Sequence, residues 1–414
     1  MERRRVVITG LGIVSSIGLG ADEFWSSSLK GKSGVDLIKD FDASLFDSRI
    51  FGAVKGFNPG EYMPGDVAKS VDRVVQLALA SARMALDNSK LDLENEDRNR
   101  IGVIFGSGLG GIIFQEQQIM RAFDKGAHRI NPASVPRITP NAVSSQVAIN
   151  FKLCGPNMVI SNACASGANA VGEAYRKIQN GGADMAFTGG AEASLSEFSF
   201  GAYDALKVLS KRNAEPQAAS RPFDKDRDGF VLAEGAATLV LEELNHALDR
   251  GARIYAEISG YVSNSGAYHM VIPDPSARDI SYTMSAVLKD AGMKTEDIDY
   301  INAHGTSTLQ NDKVETKGIK EVFGENAYKI PVSSTKSMIG HTIGASGAIE
   351  ALVCALVIDN QIIPPTINYK NPDPDCDLDY VPGEPRRAEI NAVLSNSFGF
   401  GSNNVCLIFR RYNG

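Results

Sequence analysis

The chain has 414 residues, a formal net charge of −7, 43% hydrophobic and 22% charged residues, which describes a globular protein with room for about two or three domains and a large core. Acidic and basic residues are mixed along it, so no basic tract points to nucleic acid, and no apolar stretch reads as long enough to span a bilayer. Those two readings exclude a nucleic-acid partner and a membrane as the starting expectation.

The N-terminal Arg3-Arg4-Arg5 precedes Val6-Val7-Ile8-Thr9-Gly10. The apolar run breaks at Gly10 and Gly12 without a cleavage-like site, so it reads as a first strand rather than a signal segment. Helical spacing runs from Val67 to Leu91, and Arg100 to Phe105 reads as a strand closing on Gly106-Ser107-Gly108-Leu109-Gly110-Gly111. A polar helix (Gln115 to Phe123), a proline-rich link and another helix lead to Met158-Val159-Ile160, an apolar run expected to be a buried strand. A further strand covers Asp184 to Gly190. Ile254-Tyr255-Ala256-Glu257-Ile258-Ser259-Gly260 then echoes the first strand and starts a second cycle: strands at Tyr300-Ile301-Asn302 and Ile330 to Ser333, a small-residue helix from Ala345 to Ile358, and a closing strand pair through Val393 to Ser395 and Val405 to Phe409. Alternating strands and helices predict α/β layers with mostly parallel sheets, in two halves, residues 1–250 and 251–414. The five cysteines form neither a CxxC pair nor a disulfide framework, which points to a reducing cytoplasm.

The chain is organised around Ser161-Asn162-Ala163-Cys164-Ala165-Ser166-Gly167. The pattern predicts strand, tight turn and a helix whose first turn carries Cys164. Free N–H groups and the helix dipole there favour thiolate over thiol, which would make Cys164 a nucleophile. A buried structural cysteine is the competing reading. Two histidines change the balance: His304, in Asn302-Ala303-His304-Gly305-Thr306, and His341, in Lys336-Ser337-Met338-Ile339-Gly340-His341, both stand in turns after strands, where α/β proteins place their chemistry. His128, His246 and His269 lie in ordinary polar contexts. Two motifs mislead. Gly106 to Gly111 fits the GxGxxG dinucleotide pattern, but no acidic residue follows at a strand tip. Asp224-Lys225-Asp226-Arg227-Asp228-Gly229 begins like a calcium loop, but position 235 is glycine where the closing glutamate belongs. No cofactor and no metal are expected.

The stretches SNACASGANA, SRPFDKDRDGFVLAEGAA, NAHGTST, SSTKSMIGHTIGASGAIEA and NSFGFGSNN resemble those of the beta-ketoacyl-[acyl-carrier-protein] synthase II family and its polyketide ketosynthase relatives. The resemblance runs from Arg5 to Phe409. It implies a thiolase-like fold, two duplicated α/β halves in a five-layer αβαβα arrangement, working as a homodimer. It also implies decarboxylative condensation of an acyl chain on Cys164 with malonyl carried on the phosphopantetheine arm of acyl carrier protein, as in fatty-acid elongation. A polyketide or polyene ketosynthase subunit, in a heterodimer with a non-catalytic partner, is the second expectation. By the same resemblance Cys164, His304 and His341 form the catalytic triad, Lys336 organises the site with Glu350 as partner, and Phe400 lends a backbone N–H to the oxyanion. Thr306 and Thr308 match pantetheine positions, and Leu109, Tyr203, Phe398 and Phe400 the acyl pocket and its gate. Three departures stand out: Ser402 and Asn403 replace the usual glycine and threonine, Val271 and Ile272 replace hydroxyls, and Gly65, Asp66 and Ser70 replace basic residues. Carrier docking then falls to Lys69, Arg129, Lys207, Lys211 and Arg212.

Overall fold

Ten strands set the path of one long sheet in the computed structural model, which describes residues 3–414. They are β1 (Val6–Ser15), β2 (Ile101–Gly106), β3 (Asn157–Ile160), β4 (Met185–Glu192), β5 (Gly235–Glu243), β6 (Ala256–Ser265), β7 (Tyr300–Asn302), β8 (Val332–Ser333), β9 (Ala392–Gly399) and β10 (Asn403–Arg410). From the junction outward the first half runs β1-β5-β4-β2-β3 and the second β6-β10-β9-β7-β8, the same order twice. In each half the inner three strands pair antiparallel and the outer three parallel, so the sheet is mixed rather than mostly parallel. The antiparallel share comes from strands whose connections return over the edge, such as the tight β9–β10 hairpin. The two halves meet where Val6 pairs with Ile258 and Ile8 with Ala256.

Helices α1 (Arg73–Ser89), α2 (Ile112–Lys125), α3 (Ser166–Gln179), α4 (Arg278–Ala291), α5 (Leu309–Phe323) and α6 (Ser346–Asn360) complete the layers used below. The helical spacing from Val67 breaks before α1 because the Asp72 carboxylate caps a new helix, accepting the Val74 N–H. α1 covers β1 and β5 on one outside, α4 covers β6 and β10 on the other, and α3 and α6 lie between the two five-stranded halves of the sheet, which act as two sheets. This is the five-layer αβαβα thiolase-like arrangement. α3 and α6 cross with almost no gap: a Cβ on Gly167 would stand 2.7 Å from the Ala348 nitrogen, and one on Gly347 2.5 Å from the Ala168 nitrogen. Both positions therefore need glycine, and forcing a methyl group into either would cost about 1–3 kcal/mol or more.

The segment Ile343–Asn360 is, against the sequence expectation, long and apolar enough to cross a membrane. It is almost wholly buried between the sheets, which accounts for its composition. β3, expected as a buried strand, is the free edge of the sheet and only half-buried.

Candidate active site

β3 delivers the chain to an elbow. Ala163 takes the left-handed region at φ 48°, a short 3-10 turn spans Ala163–Ala165, and α3 begins at Ser166. Such a backbone costs roughly 1–2 kcal/mol at a residue with a side chain. Ser166 holds it: its hydroxyl accepts the Asn162 N–H at 2.8 Å and donates to the Ala163 carbonyl at 2.6 Å. Cys164, 5% exposed, lies at the floor of a cleft of about 830 Å³ that is partly open to solvent. Burial pushes its thiol up to about 11, against the Lys336 ammonium and the backbone N–H groups of Phe400 and of Cys164 itself, which pull it down. The elbow does supply donors to the sulfur, as its position predicts. Desolvation outweighs them, so the resting group is a thiol and not the thiolate the helix end alone suggested.

His304 and His341 face each other across the same cleft, ring centres 5.5 Å apart and nearly perpendicular. His304 follows β7, and its own N–H and that of Gly305 are held by the two oxygens of Glu315 at 2.8 Å each. Behind it the buried Lys336 ammonium donates to the His304 carbonyl at 2.6 Å, lies 3.4 Å from Nδ1, and pairs with Glu350. An ammonium can only donate, so Nδ1 must be the bare nitrogen and Nε2 carries the hydrogen. His341 reaches the same state differently. Its Nδ1 accepts the Ile343 N–H at 3.2 Å and lies 2.8 Å from the Ser346 hydroxyl, leaving Nε2–H for the cleft. Burial holds both rings well below the usual histidine range, and Lys336 adds to this, so both are neutral. Two neutral imidazoles, each with an N–H to offer, form a donor pair suited to an oxygen that gains charge.

Thr306, Thr308, Phe398 and Phe400 also line the cleft, the two threonine hydroxyls 2.9 Å apart. Phe398 packs 5.9 Å from the His304 ring. Tyr203 belongs to the apolar cluster around Cys164, with Phe200, Leu209 and Phe230, where a chain on the sulfur would find apolar walls. Leu109 is half-buried on the glycine-rich loop and does not line the cleft. Lys336 and Glu350 lie behind the cleft wall and act on it through His304.

The sequence reading missed several parts. Phe230 packs edge-on against His341 at 5.1 Å. His269 lines the cleft mouth, its Nδ1 accepting the N–H groups of Val271 and Ile272 at 3.0 Å. His246 joins Glu242, Glu96 and Arg250 in a partly buried ion network remote from the cleft. Glu315, on an otherwise charged helix, carried no sequence signal at all. The calcium-like turn is a scaffold: Asp224 accepts the Lys370 and Asn371 N–H groups, and Arg227, nearly inaccessible, pairs with Asp373 and lies 3.7 Å from Asp312 beneath the Thr306 turn.

Comparison with known proteins agrees with this geometry. The beta-ketoacyl synthase N-terminal domain model matches residues 3–247, and the corresponding C-terminal domain model matches 255–370. The chain is 46% identical over 411 residues to 3-oxoacyl-[acyl-carrier-protein] synthase 2 of Coxiella burnetii, covering 99% of both chains. It is 45% identical to that of Synechocystis sp. over 412 residues, covering 100% of this chain and 99% of the other. Among solved structures, a beta-ketoacyl synthase from Burkholderia phymatum superposes with a TM-score of 0.93 at 37% identity, covering 99% of this chain and all of the other. A type II PKS ketosynthase in complex with its acyl-carrier protein gives the same TM-score and identity, with full coverage of both chains. Both domain models match in order along nearly the whole chain, and full-length relatives reach 46% identity, so this chain belongs to the beta-ketoacyl synthase family.

Proposed function

We propose that this protein is a beta-ketoacyl-[acyl-carrier-protein] synthase that elongates fatty acyl chains by decarboxylative condensation with malonyl on acyl carrier protein. The observation that carries it is the pair of neutral Nε2–H donors opposite Cys164 in one cleft. In the first step the Cys164 sulfur attacks the carrier thioester, the carrier C–S bond breaks, and the Cys164 proton passes to the departing pantetheine thiolate. A thiol at rest suits this exchange, since the reaction gains no net charge. Malonyl on the carrier then enters past Thr306 and Thr308. Its bond to the carboxylate breaks, carbon dioxide leaves, and the electron pair moves onto the thioester oxygen, where His304 and His341 donate. The enolate carbon attacks the acyl–Cys164 carbonyl, whose oxygen meets the N–H groups of Cys164 and Phe400. The C–S bond breaks, and the Cys164 thiolate takes a proton from solvent. No cofactor enters these steps.

The synthase 2 relatives, at 42–46% identity over nearly the whole chain, support fatty-acid elongation over the polyketide alternative. A second copy of the chain is the proposed partner across the free edge of β3, with exposed Phe123, Val135 and Ile149 as apolar support. The five free thiols support a cytoplasmic setting. Incubation with acyl-carrier should add one acyl mass, lost in Cys164→Ala, and malonyl-carrier should then release carbon dioxide and yield a ketoacyl product. Acyl transfer without carbon dioxide release or product would refute the reading.

A further inference from the structure

The glycine-rich loop that imitates a dinucleotide fingerprint already holds a carboxyl group, and that group is the protein's own. Glu192, at the end of β4, is fully buried. Its Oε2 accepts the Gly108 N–H at 2.6 Å and the Gly344 N–H at 3.1 Å; its Oε1 accepts the Leu109 N–H at 3.2 Å and lies 3.4 Å from the Ser107 hydroxyl. Among the described residues no lysine or arginine pairs with it, and burial raises its carboxyl to about 7 against the pull of these N–H groups. The carboxylate fills the concavity where successive N–H groups would otherwise take a phosphate. A Cβ on Gly108 would stand 2.8 Å from Oε2, and one on Gly344 2.6 Å from it, which is why both positions need glycine.

The two sides of this carboxylate belong to different halves of the molecule. Ser107 to Leu109 follow β2, whereas Gly344 sits in the turn whose preceding residue, Ile343, gives its N–H to His341 Nδ1. Ile343 adopts φ 45° to do so, a costly geometry for a β-branched residue that an outside contact must sustain. We propose that Glu192 is a positioning residue for His341: it clamps the Ile343–Gly344 turn against the Ser107–Leu109 loop and so keeps Nε2–H directed at the cleft. The inference rests on His341 being a donor to the malonyl thioester oxygen, and its test separates the two claims.

Glu192→Asp keeps the carboxyl group but shortens the side chain by one methylene, so it cannot span Gly108 and Gly344 together. Carbon dioxide release from malonyl-carrier should fall about tenfold, less than the loss for a donor removed outright. Acyl transfer to Cys164 should stay within about twofold, since the Cys164 elbow does not touch Glu192. Glu192→Gln keeps one oxygen for Gly108 and Gly344 and should retain most of the activity. If Glu192→Asp does not fold, Gly108→Ala carries the test: its methyl would stand 2.8 Å from the Glu192 Oε2 and 3.3 Å from Ile343 Cγ2, pressing on the clamp and on the turn it holds, and the same selective loss should appear. Folded variants with unchanged decarboxylation, or with both steps reduced in proportion, overturn the role of Glu192. If His341→Ala itself leaves decarboxylation intact, the donor assignment fails instead. Histidine ¹⁵N shifts add an independent reading: Nδ1 of His341 should be the bare nitrogen in the wild type and lose that character in the perturbed variant.

Discussion

Lys336 and Glu350 form a buried ion pair whose purpose can be separated from its stability by two variants. Lys336 is 1% exposed and Glu350 2%. In Glu350→Ala the ammonium keeps the His304 carbonyl at 2.6 Å but loses its counter-charge, and the Ser397 hydroxyl loses its acceptor at 3.3 Å. Removing one partner of a buried pair costs about 3–5 kcal/mol. For halves of this size that lowers the melting midpoint by about 6–20 °C. Lys336→Met with Glu350→Leu removes both charges together, and such replacements are often neutral or better. What remains is an orphaned His304 carbonyl and Ser397 hydroxyl, about 1–3 kcal/mol each at most. The double variant should therefore melt above Glu350→Ala. Decarboxylation should behave oppositely and fall at least about 10²-fold in the double variant, because without the ammonium nothing fixes the His304 tautomer. Guanidinium unfolding and carbon dioxide release measured on the same preparations test this. A double variant no more stable than Glu350→Ala, or one that condenses at nearly the wild-type rate, would refute the reasoning.

Four further outcomes are expected. His304→Ala and His341→Ala should each slow carbon dioxide release about 10²–10³-fold while acyl loading of Cys164 changes far less; equal loss in both steps would indicate a structural role. Because both rings are held well below the usual histidine range, the ¹⁵N signals of His304 and His341 should show no protonation step near pH 6.5, and a step there would contradict neutral donors. Lys207 and Lys211 share Asp47 at 3.0 and 2.7 Å yet remain more than half exposed beside Val208 at the cleft mouth; Lys207→Glu with Lys211→Glu should raise KM for acyl-carrier and leave turnover of a small acyl-pantetheine unchanged. The His246–Glu242 pair sets a stability window: His246 is raised to about 9, so its contribution is full below pH 6.5 and lost as pH rises through 9, and Glu242 is lowered to about 2, so its contribution is full above pH 4.5 and lost as pH falls toward 2. His246→Ala should flatten the alkaline side of the stability–pH curve, which thermal melts across pH will show.

The catalytic side chains were legible because each sits in a local pattern. Small residues around Cys164 announce an elbow, and glycines and hydroxyls around His304 and His341 announce strand-end turns. Their supports were not. Glu315 reaches the His304 loop from a helix eleven residues along the chain, outside the motif that marks the histidine, and Glu192 reaches Gly344 from the other half of the molecule, so no local pattern announces either contact. Desolvation was equally hidden. Helix-end chemistry reads locally and favours a thiolate, but the burial that keeps Cys164 a thiol arises from the whole apolar cluster of Phe200, Leu209, Phe230 and Leu232. The mixed sheet follows the same rule, since strand direction is set by where connections return and not by strand composition.

The repeat explains how one backbone came to hold two kinds of chemistry. Ala163-Cys164-Ala165-Ser166-Gly167-Ala168 and Ile343-Gly344-Ala345-Ser346-Gly347-Ala348 occupy equivalent turns after the outermost strands β3 and β8, with Ala163 at φ 48° and Ile343 at φ 45°. Each serine stabilises its own elbow, Ser166 through Asn162 and Ala163, Ser346 through Thr342 and His341. In the first half the elbow presents a thiol, and the loop after β2 spends its N–H groups on Glu192. In the second half the elbow presents bare Gly344, and the loop after β7 carries His304 on Glu315. The division is enforced by space: the Gly344 position lies 2.4 Å, by a built Cβ, from the Gly108 nitrogen, so no second nucleophile fits opposite the first. A duplicated scaffold of this kind can vary at the two presented positions while its glycine crossing and its buried carboxylates stay fixed, because those carry the geometry that both halves share.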